Sequence, residues 1–485
     1  MLFNSFTFLI FFPVVATIYF VLPHRWRWAW LLAASCYFYM AFIPVYILIL
    51  FFTIAIDYVA GILIEGAQGR KRKWYLVMSI FANVGVLAVF KYFNFLNANA
   101  HAIAEVFHWP YDLAPLSLVL PIGLSFHTFQ AMSYTIEVYR GRYPAERNLG
   151  IYALYVMFFP QLVAGPIERP QNLLPQFREK HSFDYERVTD GLLKMAIGLF
   201  MKVVIADRLA RYVNVVYNDP TGFEGLTLVF ATLFFAFQIY CDFAGYSLMA
   251  IGAAEVMGFR LMKNFDRPYL SRSIGEFWSR WHISLSSWFR DYVYIPLGGN
   301  RVSGPRWYWN LFLTFLLSGL WHGANWTFVI WGALNGFYLI FSLVTAHWRA
   351  AVTRAIGLAS RPTLHAIISV AVTFSLTCVA WVFFRANTVT DAFHILSSVI
   401  VRPTLHQIVP DAIRAEGISK FEVLYSLMLI AGLMGVELAS TRVNLMRQFR
   451  MQPVWVRWPA YYVTCMAIWL LGLSTEAKAF IYFQF

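Results

Sequence analysis

Residues 307–346 read WYWNLFLTFLLSGLWHGANWTFVIWGALNGFYLIFSLVTA, forty residues without one formal charge. A helix or strand facing water carries a polar face, so a run of this kind belongs in a membrane. About 20 apolar residues make one helical crossing, and a run twice that long makes two. Small and polar residues, Ser318-Gly319 and Gly323-Ala324-Asn325, sit in its middle, where they open the backbone. Irregular backbone at membrane depth is tolerated only where protein buries it or where it lines a cavity. The one titratable imidazole of the run, His322, lies at that break. An ionisable group there is a functional candidate. The alternative is a packing histidine hydrogen-bonded to Ser318 or Asn325.

The rest of the chain agrees with a polytopic membrane protein. Of its 485 residues 60% are hydrophobic and 13% charged, with a mean hydropathy of +0.58, against roughly 25% charged in a soluble domain. The net charge of +13 would suggest nucleic acid in a soluble chain. Here the basic residues fall in short segments between apolar runs, and the cytoplasmic bias of Lys and Arg accounts for them. No nucleic-acid partner is expected. Cys36, Cys241, Cys378 and Cys465 are scattered through apolar surroundings without CxxC spacing. They read as structural thiols, with no metal site. The N-terminal run 1–23 has no basic residue before it and no clear cleavage site, and reads as an uncleaved first span.

Apolar runs at 1–23, 28–56, 75–90, 113–136, 148–167, 225–241, 307–346, 366–384, 423–436 and 458–475 predict about 10–12 spanning or re-entrant helices. Arg25 and Arg27, the cluster 70–73, and Arg140, Arg142 and Arg147 mark cytoplasmic loops, which puts the N-terminus outside. Segment 168–190 mixes both signs and reads as an amphipathic interfacial stretch. Asp242 falls inside an apolar run and needs a partner or water there. It either pins two helices or serves chemistry. With no internal repeat and no Pro-, Gly- or Ser-rich linker, residues 1–485 read as one integral membrane domain.

Residues 258–310 carry eight Lys or Arg against three acids, interleaved with Trp278, Trp281, Trp288, Tyr292 and Tyr294. No uncharged run in this stretch reaches spanning length, so it lies at an interface or dips into the protein. Such a surface suits a phosphorylated ligand or anionic lipid headgroups. At helical spacing Trp278, His282, Ser286 and Arg290 share one face. Gly298-Gly299-Asn300 follows as a turn whose N–H groups can meet phosphate; two adjacent glycines by themselves signal only a plain turn. His282 and His322 each follow a Trp. An imidazole titrates near neutrality and can take a proton from a hydroxyl and return it, and flanking indoles exclude the water that would hydrolyse an ester or thioester. No GxSxG elbow or Cys/His pairing supports a covalent mechanism.

The strings FW-x-RWHISLS-x-W-x-RDYVYIPLGGNR (277–301) and GLWHGANW-x-F-x-x-WG (319–332) resemble the membrane-bound O-acyltransferase family, most closely its bacterial alginate O-acetyltransferase-like branch. LPIGLSFHTFQAMSY (120–134), FPQLVAGPIER (159–169), YCDFAGYSLMAIG (240–252), NFDRPYLSRSI (264–274), WVFFRA (381–386) and FIYFQF (480–485) extend the likeness over nearly the whole chain. The turn at 298–300 resembles the acetyl-transfer rather than the D-alanyl-transfer branch, and Ser247-Leu248 stands where the family often has Ser-Asp.

The resemblance implies an all-α integral membrane bundle around a central tunnel, in a bacterial inner membrane. It implies transfer of acetyl from cytoplasmic acetyl-CoA, with no permanently bound cofactor, to an acceptor outside for polysaccharide O-acetylation. His322 corresponds to the essential histidine and His282 to the second motif position. Trp278, Trp281, Ser286, Trp321, Asn325 and Asp242 then line the tunnel, and Asn325 is a candidate oxyanion donor. Arg280, Arg290, Arg301, Gly298, Gly299 and Asn300 hold the CoA phosphates. Membrane lipids and a periplasmic SGNH-esterase-like protein are the expected partners. The rival reading is a transporter of an acyl or phosphorylated solute, against which the lack of an internal repeat counts.

Overall fold

A computed structural model of the chain describes residues 1–485 except 119, 403–407, 473–479 and 482–485. The end of the last apolar run and all but Phe480 and Ile481 of the FIYFQF stretch therefore lie outside the described residues. The described residues are helices and loops, with no strand among them, so the all-α membrane fold holds. Among the described residues six helices are long and apolar enough to cross a membrane by themselves: Pro44–Gly66, Gly69–Val106, Leu226–Met257, Trp326–Val344, Pro362–Arg385 and Lys420–Ala439. Other apolar runs fold shorter. The first, for example, becomes a 16-residue helix, α1 (Phe6–Val21).

By internal contact the chain divides into two compact units. The first holds Met1–Met195 and Tyr246–Lys263. It contains α1, α2 (His24–Met40), α3 (Ile47–Gly66) and α4 (Gly69–Leu87), whose first turn is the basic cluster 70–73. Buried Asp57 of α3 accepts from Ser79 Oγ at 2.6 Å and Asn83 Nδ2 at 2.9 Å on α4. This polar link joins two helices that otherwise present apolar faces. Gly61 of α3 leaves room for Tyr134 of α5 (Leu124–Tyr139), whose ring a Cβ would strike. In segment 168–190 Glu168 and Asp190 are buried, so that stretch is not an interfacial stripe throughout. Glu168 accepts the Met262 N–H at 2.6 Å.

The second unit, Ala196–Gly245 and Asn264–Ile481, carries the residues singled out above. Its α6 (Leu226–Met257) runs into it up to Gly245. In the most apolar window of α6 78% of residues are buried, against 17–44% in the other five long helices, which makes α6 an internal helix. Two short helices follow, α7 (Ile274–Arg280) and α8 (Ile283–Phe289). The charge-free run forms α9 (Gly304–His322) and α10 (Trp326–Val344), parted at 323–325 where the small residues predicted a break. The two helices meet backbone to backbone: Gly332 Cα lies 3.1 Å from where a Cβ on Gly319 would stand. Small-residue contact of this kind is how membrane helices approach without side-chain interdigitation. The unit continues through α11 (Ala346–Ala355) and α12 (Pro362–Arg385).

Candidate active site

His322 closes α9 and is 4% exposed. Three rings surround its imidazole. Trp321 lies 4.8 Å away, Trp331 of α10 4.9 Å at 83° and Phe384 of α12 5.3 Å at 71°. Edge-to-face packing on several sides holds the ring and keeps bulk water off. The helix end that aims it is built by sequence. Gly323 follows in extended backbone, and it is glycine because a side chain there would strike the Phe328 ring. Asn325 then caps α10, its Oδ1 accepting the Thr327 N–H at 3.0 Å while its Nδ2 donates to the Asn387 carbonyl at 3.3 Å. Both ends of the Asn325 amide are thus engaged in holding the α9–α10 break.

His282 does not continue the helix of Trp278, as a spacing of four would have it. The helix ends at Arg280, and His282 stands at φ 44°, ψ 54° in the left-handed region before α8 begins. A non-glycine residue there carries strain that its surroundings must hold. Asn264 does the holding. Its carbonyl accepts the Ile283 N–H at 2.9 Å, and its Oδ1 receives the Ser284 N–H at 3.2 Å, the Ser284 hydroxyl at 2.9 Å and His282 Nδ1 at 3.0 Å. Three donors on one oxygen fix the amide orientation. They also place the His282 proton on Nδ1, which makes Nε2 the acceptor end of the ring. His282 is fully buried, and desolvation pushes it down to about 3. Phe243 of α6 stands edge-on to it at 4.6 Å and 88°. Trp321 lies 6.3 Å from the His282 ring and 4.8 Å from that of His322, so one indole contacts both imidazoles.

Beside this cluster a cavity of about 370 Å³ is lined by Trp278, Ser286, Arg290, Thr314 and Ser318, among others. Ser318 lies one helical turn before His322. Trp278 Nε1 donates to Asn335 Oδ1 of α10 at 3.2 Å, which seats α7 on α10. Three of the four residues read as one stripe therefore meet on this wall. His282 leaves it because of its left-handed turn, and neither imidazole lines the cavity.

Trp281 is 1% exposed and packs in an aromatic core, 5.0 Å from Trp381 and 5.1 Å from Phe265. Asp242 is 3% exposed and ion-paired: Lys202 Nζ reaches it at 2.6 Å, and the Ile481 N–H donates to it at 2.7 Å. The ion pair links α6 to the π-helical turn Met201–Ala206. Arg280 pairs with Glu276 at 2.6 Å and Arg290 with Asp291 at 2.8 Å, while Arg301 is exposed. The turn at 298–300 is internally bonded at both glycines. The Gly298 and Gly299 N–H groups donate to the Ile295 and Tyr294 carbonyls, both at 2.9 Å. Their φ values of 109° and 56° are why glycine is needed. Asn310 Nδ2 clamps the turn through the Gly299 carbonyl at 3.1 Å.

Sequence reading missed Asn264, Trp331, Asn335, Phe384 and Lys202. Asn264, Trp331 and Phe384 lie inside stretches that carry the family likeness, at 264–274, 319–332 and 381–386, and that was the available signal. Nothing in periodicity connects Asn264 with His282. Among the described residues no three His, Cys, Asp or Glu side chains gather as a metal site.

The chain also resembles known proteins in sequence. Residues 115–386, which include both histidines and the whole aromatic cluster, match the MBOAT, membrane-bound O-acyltransferase family. The chain is 42% identical over 402 residues to the probable alginate O-acetylase AlgI of Pseudomonas aeruginosa, covering 81% of this chain and 74% of that protein. It is 36% identical over 402 residues to the peptidoglycan O-acetyltransferase of Helicobacter pylori, covering 76% and 73%. Similarity to the teichoic acid D-alanyltransferase of Bacillus subtilis is lower, 30% over 232 residues, covering 45% and 58%. On this sequence match and this arrangement of residues, the chain is a multi-pass membrane enzyme that belongs to the membrane-bound O-acyltransferase family.

Proposed function

We propose that the enzyme moves acetyl from cytoplasmic acetyl-CoA to a hydroxyl acceptor on the outer side of a bacterial inner membrane, for O-acetylation of a cell-envelope or secreted polysaccharide. The observation that carries this reading is the pair of buried imidazoles joined by Trp321 beside a cavity of coenzyme-arm size. The names of the alginate and peptidoglycan relatives support the acetyl group and the polysaccharide class. Basic clusters at 25–27, 70–73 and 140–147 support an N-terminus on the outer side.

In the reaction His322 is the general base. Its ring nitrogen takes the acceptor's proton as the hydroxyl oxygen attacks the thioester carbonyl. The C–S bond then breaks, and the CoA thiolate takes the proton back from the imidazolium. His282, with Nδ1–H given to Asn264, presents Nε2 as an acceptor. That fits holding a hydroxyl proton better than polarising a carbonyl. Arg290 and Arg301 receive the coenzyme phosphates at the mouth, and the clamped 298–300 turn positions Arg301. A periplasmic SGNH-esterase-like partner takes the acetyl onward to the polymer.

The test is radiolabelled acetyl transfer by the purified enzyme with its acceptor partner, wild type against His322→Ala. General-base removal lowers the rate by about 10²–10⁴-fold. Comparable transfer by two equally folded proteins would take His322 out of this role.

A further inference from the structure

A second and larger cavity, about 560 Å³, lies away from the imidazoles, between the later half of α10, α11, the first half of α12 and the loop Arg272–Ile274. Its floor is apolar, built from Phe337, Phe341, Ile368 and Val372. Its rim is cationic, with Arg272, Arg349 and His365. A volume of this size holds a small amphiphile. The charge balance selects which one. Between Asp291 and Asp391 the chain contains no acidic residue, while Arg349, Arg354 and Arg361 fall in and beside α11. The Arg272 guanidinium has no hydrogen bond or ion pair with protein among the described residues. Glu276 accepts the Arg272 backbone N–H at 2.7 Å but is ion-paired with Arg280 at 2.6 Å, so the guanidinium edge of the rim carries net positive charge.

The floor faces the hydrocarbon side of the same site. Phe337 is 54% exposed and Trp348 of α11 65%. α11 is short, sets Trp348 and Arg349 side by side and joins two spanning helices. Such an element lies at the headgroup level, where indoles and arginines gather. Its basic residues place it by charge on the cytoplasmic side, where anionic lipids are concentrated.

We infer that this cavity binds one anionic diacyl phospholipid, its phosphate on Arg272 and Arg349 and its upper acyl chain on the Phe337–Val372 floor. The site backs onto the first cavity. Ile274 and Tyr338 line this one, while their chain neighbours Gly275 and Leu339 line the other. A lipid here braces the α7–α10 wall that carries Trp278.

The experiment uses the full-length protein in detergent, titrated with brominated phosphatidylglycerol or brominated phosphatidylcholine. Quenching of Trp348 is read as the difference between wild type and Trp348→Phe. Phosphatidylglycerol should give a saturable Trp348 component that phosphatidylcholine lacks. Loss of one surface cation near lipid is worth about fivefold in affinity, so Arg272→Ala should shift the midpoint about fivefold, and Arg272→Glu further. Thermal melts confirm that the variants are folded. Equal quenching by the two lipids, or an unmoved midpoint in folded Arg272→Glu, overturns the assignment. Acetyl transfer is not the readout, so failure here is separable from failure of the proposed reaction.

Discussion

His282 donates its Nδ1–H to Asn264 Oδ1 across 3.0 Å, on the same oxygen that receives Ser284. Asn264 therefore sets both the rotation and the tautomer of a ring held at positive φ. Asn264→Ala should lower acetyl transfer by tenfold or more without changing the acceptor KM to the same degree, because orienting partners of a catalytic imidazole act on the turnover step. Asn264→Asp keeps an acceptor but sets a carboxylate against the ring and raises its pKa. Its rate should therefore fall on acidification and recover as pH rises. A pH–rate profile for Asn264→Asp parallel to wild type would contradict this relationship.

The same burial makes His282 a stability sensor. The connector it occupies is outside the spanning helices, and desolvation holds the ring at about 3, against about 6.5 in an unfolded chain. Above pH 6.5 neither state is protonated, and stability is unaffected. As pH falls from 6.5 towards 3 the unfolded chain takes up a proton that the folded chain does not, so stability is lost at about 1.4 kcal/mol per pH unit. Thermal melts of His282→Gln between pH 7 and pH 5 should show a shallower decline than wild type.

Trp321 contacts both imidazoles and is 5% exposed. Removing an indole from such a place costs about 3–5 kcal/mol and opens space for water between the rings. Trp321→Ala should consequently divert the reaction, raising hydrolysis of acetyl-CoA relative to transfer. Trp321→Phe keeps an aromatic wall and should preserve the partition better. The ratio of released acetate to transferred acetyl measures it.

Much of this was legible in the chain itself. The absence of charge in 307–346 marked two helices, and its small residues marked the break where His322 sits. Periodicity failed where backbone conformation departs from the average. The spacing of Trp278, His282, Ser286 and Arg290 is helical, yet a left-handed residue divides them, and no pattern of residue types announces positive φ at a histidine. Two adjacent glycines at 298–299 signal a turn but not where its N–H groups go; their bonding to Ile295 and Tyr294 depends on a fold around Asn310. Lys202 drew no notice in MKVVIADRL, since its partner Asp242 is 40 residues away.

Close backbone packing of α9 on α10 yields a prediction with an internal control. A Cβ on Gly319 would run into the Phe328 carbonyl, and one on Gly332 would stand 2.5 Å from the Phe315 carbonyl. Backbone cannot yield as a side chain does, so Gly319→Ala and Gly332→Ala should each destabilise by about 1–3 kcal/mol and displace His322. Gly304→Ala, at the start of the same helix with nothing within 4 Å, should be close to neutral. Detergent melting temperatures compare the three.

Lys202 Nζ lies 2.6 Å from Asp242 Oδ1 and 2.9 Å from Asp207 Oδ1, with all three side chains buried. One cation between two carboxylates makes the consequences of mutation unequal. Lys202→Met strands two buried charges, and breaking a buried pair from one side costs about 3–5 kcal/mol. Asp242→Asn leaves Lys202 paired with Asp207 and keeps an oxygen for the Ile481 N–H, so its cost should be much smaller. If Asp242 is a structural pin, Asp242→Asn should also retain acetyl transfer per folded molecule within about threefold, far from the loss expected of an acid–base group. Expression level, melting temperature and turnover of the two variants side by side separate the roles: a well-folded Asp242→Asn protein that has lost turnover would return Asp242 to the chemistry.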